Sequence, residues 1–272
     1  MIEKNLGYLS SNISHAWAAL FCESMAPGSH ILPPRCVSIT ADGDNAPEED
    51  TDIRDELDRL LRENDSPTIA ETAATIFPYK HWQLRGRPGI EDFSKWYCER
   101  YLPKHQARMG VRRRKIKDTY FARMIDYTGI PKKSASSYSD GRINQLEFLC
   151  NLWKQREAQN HHPRHSALQV AIFDPLKDHT GAVMSGFPCL QQLSLGYDHD
   201  GFFSISAYYP TQYIIERAYG NYLGLLNLGR FLSSQLGLRF NRLDCIIARP
   251  QRNKTKSKLN HLYKLAQERI AQ

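Results

Sequence analysis

Apolar residues recur along this chain at two periods, helical in the first half and alternating in the second. SHAWAALFCESM, 14–25, predicts a short helix opened by Ser14, and PGSHILPP then breaks it with two pairs of structure-breaking residues. CVSITA, 36–41, alternates weakly and reads as a strand, followed by an acidic loop over 42–52. Ile53, Leu57, Leu60 and Leu61 fall at helical spacing. TIAETAATIF, 68–77, starts another helix, with Thr68 as cap and Glu71 three residues on, the pattern of a capping box. In 90–105, Phe93, Trp96, Tyr97 and Tyr101 can share one helical face. Ile143, Leu146, Leu149, Cys150 and Trp153 mark the apolar stripe of a helix over 143–159.

Beyond residue 165 the period shortens. SALQVAIFD, 166–174, predicts a strand ending at Asp174-Pro175. QQLSLGYD and FFSISAYY alternate around 198–201, a hairpin signal. A helix-forming run over 216–237 is interrupted by small residues, and LDCIIAR, 243–249, is a further strand. The expectation is a mixed α/β (α+β) fold, with helices packed against a mainly C-terminal sheet. Residues 1–85 are expected to form a helical extension or subdomain, and 86–272 the main domain.

Composition sets bounds on partners. The 272 residues are 41% hydrophobic and 24% charged, an ordinary globular balance. The net charge of +7 favours an anionic partner, a nucleic acid or a phosphate-bearing small molecule. The stretch 104–117 is basic with no acidic residue. Its readings are a solvated face or a nucleic-acid patch, with Tyr101, Tyr120 and Phe121 near it as residues able to stack on bases. The six scattered cysteines form no CxxC pair and no zinc spacing, so no metal site is expected. They read as reduced thiols of a cytoplasmic protein. The N-terminus is too polar for a signal peptide, and no apolar run is long enough for a membrane span.

Candidate chemistry centres on Cys189, directly behind Pro188 at the mouth of the hairpin. It reads either as a small buried apolar group or as a nucleophile, the latter needing a pKa lowered by nearby cations. Asn221 reads as a helix cap or as a ligand contact whose amide both donates and accepts. Arg164, among His161, His162 and His165, reads as a solvated loop or an anion contact. Asp174, Gln192 and Tyr208 are further substrate-binding candidates, with a plain Asp-Pro turn as the bland reading of Asp174.

The order of these pieces resembles the thymidylate synthase and pyrimidine nucleotide hydroxymethylase superfamily over roughly residues 140–248. The helix GRINQLEFLCNLWK, the basic turn HHPRH, the strand ALQVAIFDP, Pro188-Cys189, the hairpin and Gly220-Asn221 follow that family's sequence of elements. Leu190 replaces the usual histidine, and YYPTQY lacks the family's arginine and aspartate, so the chain reads as a divergent member. The resemblance implies a curved sheet with packed helices and a homodimer formed through that sheet, to which 170–173 and 193–197 would offer apolar residues. It implies a pyrimidine nucleotide substrate held by Asn221 and attacked by Cys189. The transferase chemistry would be one-carbon transfer to C5, with 5,10-methylenetetrahydrofolate as donor. Two alternatives stand beside it: a non-catalytic nucleotide-binding or protein-assembly scaffold, and a nucleic-acid-binding protein.

Overall fold

The computed structural model describes residues 7–111, 119–128, 141–179 and 188–271. Most of the basic stretch after residue 111, the loop 132–140 and the segment immediately before Pro188 lie outside the described residues. In chain order, β1 (Gly7–Ser10) leads to α1 (Ile13–Ser24) and β2 (Arg35–Thr40). Then come α2 (Thr51–Glu63), α3 (Ile69–Ile76) and α4 (Tyr79–Leu84). α5 (Ile90–Trp96) runs through a π-helical turn, Tyr97–Tyr101, into α6 (Leu102–Val111). α7 (Tyr120–Ile125), the short strands β3 (Tyr127–Thr128) and β4 (Arg142–Ile143), and α8 (Gln145–Glu157) follow. β5 (Gln169–Ala171), α9 (Pro175–Asp178), β6 (Gln192–Tyr197), β7 (Phe202–Tyr209) and β8 (Gln212–Tyr213) come next. A second π-helical turn, Ile214–Ala218, opens α10 (Tyr219–Leu236). The chain closes with β9 (Arg239–Ile247), β10 (Pro250–Gln251) and α11 (Asn260–Ile270).

Six strands form one sheet in the order β1-β2-β9-β7-β6-β5. β6 and β7 are the expected antiparallel hairpin, and β7 pairs parallel with β9 across the α10 connection. β1 and β2, parallel to each other, extend the sheet beyond β9. The expected curved, thymidylate synthase-like sheet is therefore corrected. The fold is mixed α/β, but the sheet is open, neither curled nor closed, with β1 and β5 at its ends. The reason lies in the first forty residues, which add two strands side by side at one end. Within residues 7–85, β1 and β2 belong to the same sheet as the later strands, and α1–α4 contribute to the same hydrophobic core.

α10 positions the core. Fourteen of its eighteen residues are buried, so it packs on more than one face. Its small residues, which interrupt the helical pattern in sequence, are the means of packing. A Cβ on Gly220 would stand 2.6 Å from Thr72 Cβ, and one on Gly224 2.7 Å from the Ala73 carbonyl oxygen, so α3 lies directly against the α10 backbone. Phe77 stacks on Phe231 at 4.6 Å and joins α3 to α10 and to the aromatic cluster of α4 and α5. The capping box predicted at Thr68 and Glu71 is present.

Candidate functional site

Strand alternation divides the six-stranded sheet into two unlike faces. Val37, Ile39, Leu243, Cys245, Ile205, Ala207, Leu193 and Val170 all point to the helix-covered side and are buried. The alternate positions face the other way and are mostly exposed or half-buried. Serines, glycines and glutamines dominate them: Ser204 and Ser206 on β7, Ser194 and Gly196 on β6, Gln169 on β5. On the two middle strands, near their C-terminal ends, stand two large apolar groups. Tyr208 and Ile246 are partners across β7 and β9, 41% and 46% exposed. Of the charges on these outward positions, Arg242 and Asp244 neutralise each other, while Arg239, opposite Phe202 and 4.1 Å over its ring, makes no ion pair among the described residues. Arg242 Nε donates to Asp244 at 2.8 Å, and Ser38 Oγ bonds the same carboxylate. In a chain of net charge +7 this face thus carries one compensated pair and one further cation, at the opposite end of β9 from Ile246.

Two of the candidates read from sequence lie here. Gln192 is directly opposite Tyr208, and its Nε2 donates to Gln169 Oε1 at 2.9 Å. Gln169 Nε2 donates in turn to Ser194 Oγ at 2.8 Å, so a polar ladder crosses β5 and β6. Ile246 and the Ser38, Arg242 and Asp244 group went unnoticed in the sequence. The signal was the alternation of RLDCII, whose even positions point outward only once the register of β9 is known.

Cys189 lies on the opposite, helix-covered side. Its surroundings are the phenols of Tyr120 and Tyr209 and the guanidinium of Arg217. Burial pushes the thiol upward, and Arg217 only partly offsets this. The shift is opposite in direction to the lowering a poised nucleophile requires. Burial also raises Cys22 and Cys98 to about 11 and Cys150 to about 12, and it raises Cys36 and Cys245. Further into this polar cluster, the Tyr222 phenol donates to Gln212 Oε1 at 3.0 Å. Tyr209 Oη and Gln212 Nε2 are buried without a partner among the described residues.

Asn221 is 2% exposed and is not a helix cap. α10 continues directly from the π turn, so residue 221 is already inside the helix. Arg164 is exposed at the far end of β6, where the Tyr197 phenol donates to the Pro163 carbonyl at 2.7 Å and stacks on His165 at 4.3 Å. Five residue steps along β6, about 17 Å, separate that end from Gln192. The fold thus does not gather Arg164 with Cys189 within one chain. Asp174 caps α9, its Oδ1 accepting from the Leu176 amide at 3.0 Å. The neighbouring Asp178 holds Arg123 through two bonds of 2.6 and 2.9 Å. Among the described residues no group of three metal-ligating side chains converges, and no helix is long and apolar enough to cross a membrane.

A scan against protein-family models and a search of the curated proteins found no match to this chain. The resemblance to thymidylate synthases, with its transferase chemistry and its place in pyrimidine metabolism, is corrected on that finding and on the open sheet. The order of elements that suggested it carries neither the family's curved sheet nor its catalytic side chains.

Proposed function

We propose that this protein is a non-catalytic assembly module whose working unit is a homodimer, closed across the bare face of the sheet. The observation that supports this reading is the pair Tyr208 and Ile246, exposed on the two middle strands near their C-terminal ends. Parallel strand pairs are ordinarily covered on both sides, yet among the described residues the parallel β7 and β9 are covered by helices on one side only. A second copy is the occupant that fits. Beside Tyr208 and Ile246 the charge is compensated by the Arg242–Asp244 pair, so two copies of an otherwise basic chain can approach through that end of the face, away from Arg239, without setting like charges against each other. Its small residues let two sheets approach to the ~10 Å spacing of face-to-face packing. At a ~3.4 Å rise and ~4.8 Å strand spacing the six strands present a face of about 590 Å², so flanking loops must add to it to reach the ~800 Å² per partner that stable interfaces bury. One face meeting itself about a two-fold axis needs no further partner.

The non-catalytic part of the reading is supported by the raised pKa of Cys189. Six free thiols favour a reducing compartment such as the cytoplasm. Sedimentation across a concentration series tests the assembly. The expected mass is near twice 31.3 kDa, and a monomer at every concentration overturns the proposal.

A further inference from the structure

We propose that the polar cluster at the carboxyl ends of the parallel strands β7 and β9 binds a small anion, held by Arg217, Tyr209 and Gln212. The two strand ends stay joined beyond the sheet. The Ala248 amide donates to the Tyr209 carbonyl at 2.9 Å, and the Gln212 amide to the Arg249 carbonyl at 3.2 Å. Tyr209 and Gln212 are thereby fixed at one end of the parallel pair, next to the π-helical turn that opens α10. Open α/β sheets place their ligands at this end, outside the carboxyl ends of the strands.

Each donor in the cluster is left over for a physical reason. Gln212 has its acceptor engaged: Tyr222 donates to Oε1 at 3.0 Å, which turns Nε2 the other way, where its protons meet no acceptor. The Tyr222 phenol that holds Gln212 also neighbours the Tyr209 phenol, whose hydroxyl is fully buried and likewise unpartnered. Buried polar groups are paired with few exceptions, so two orphans in one cluster mark a place where a bound group supplies the acceptor. Arg217 is half-buried and makes no hydrogen bond or ion pair among the described residues. It is the cation that acts on Cys189 and on Tyr120, and both of these neighbour Tyr209. Its chain neighbour Glu216 is held by Lys254 at 2.7 Å and does not neutralise it. The Tyr120 phenol oxygen lies against the amides of Cys189 and Leu190, so its own proton is free to be given. The unengaged groups here donate, and one carries a positive charge. The oxygens of a carboxylate or a phosphate answer both properties. A water would satisfy the orphans but leave the guanidinium uncompensated. The cluster lies on the helix-covered side and Tyr208 and Ile246 on the other, so this proposal and the dimer stand or fall independently.

Calorimetric titration of the full chain with inorganic phosphate, and separately with succinate, in chloride buffer of fixed ionic strength tests the proposal. At least one probe should bind saturably, one per chain, and raise the thermal midpoint as its concentration rises. Binding of phosphate alone assigns a phosphoryl group to the site, and binding of succinate alone a carboxylate. Tyr209→Phe should lose about tenfold in affinity, while the unliganded variant unfolds at the same temperature as wild type or higher, because an unpaired hydroxyl has left the core. Arg217→Gln should lose about tenfold or more. Arg164→Gln, the same charge change at the far end of β6, should stay within about threefold of wild type. The bound probe should also slow alkylation of Cys189 and leave that of the half-buried Cys98 unchanged. Absence of saturable binding by both probes up to about 10 mM overturns the proposal and assigns the cluster to water. So does wild-type affinity in Tyr209→Phe, or equal affinities of the Arg217 and Arg164 variants.

Discussion

Tyr208 and Ile246 face each other across the parallel pair of β7 and β9, and each is left partly exposed, 41% and 46%. Each strand buries its next residue, Tyr209 and Ile247, completely on the other side. The same two strands thus supply the core and the proposed interface. Replacing both outward residues, Tyr208→Glu with Ile246→Lys, should shift the sedimenting mass from the dimer towards 31.3 kDa while leaving thermal unfolding of the subunit nearly unchanged. A variant that remains dimeric places the interface elsewhere.

Burial of titratable thiols and phenols predicts loss of stability in alkali. Cys22 and Cys98 rise to about 11, and Cys150 and Tyr120 to about 12, each chiefly through burial. The fold favours their protonated forms. Their contribution is complete below the unfolded values, ~8.5 for thiols and ~10 for phenols, and is lost as pH rises towards the folded values. Urea midpoints measured from pH 8 to 11 should fall, with most of the decline above about pH 9. A flat profile across that range contradicts the burial argument. In the same measurements, alkylation of Cys189 at pH 7 should be slower than that of an exposed thiol.

Asp178 titrates in the opposite sense. Burial alone would raise its pKa, but the bonds from Arg123 and the Asp174 amide outweigh this and hold it below the usual carboxylate value. Its stabilising contribution is present above the unfolded pKa and is lost as pH falls through the folded one. Asp178→Asn should cost on the order of 3 kcal/mol at neutral pH, because Arg123 is left without its carboxylate. The difference from wild type should shrink in urea titrations at pH 3. A constant difference would assign the effect to packing.

Gly224 tests how closely α3 and α10 pack. Alanine is the better helix former by about 1 kcal/mol, so propensity alone predicts stabilisation. The added methyl would meet the Ala73 carbonyl at 2.7 Å and Ile76 Cβ at 2.9 Å. The expected outcome is a net loss of about 1–3 kcal/mol, the usual cost of overpacking a filled core. Chemical denaturation of Gly224→Ala measures it, and a gain in stability would show that α3 can move aside.

Local order was written in the residues themselves. The capping box at Thr68 and Glu71, the hairpin at 198–201 and the stripe through Leu146, Leu149 and Trp153 each depend on neighbours within a few positions. Those signals predicted the elements that formed. Which face of a strand becomes the core is not a local property. FFSISAYY alternates the same way whichever side is covered, and only α10, folded back against Ile205 and Leu243, decides that Tyr208 and Ile246 point outward. The same limit governed the candidate site. Cys189, Asn221 and Arg164 lie in an order that suggested one pocket. The length of β6 holds Arg164 far from Cys189, and burial among phenols raises the thiol that a catalyst would need lowered. Aromatic spacing in 90–105 was legible as a helix face. That a π turn would bring Trp96 and Tyr101 within 5.8 Å of each other was not, because the apolar spacing fits an unbroken α-helix equally well.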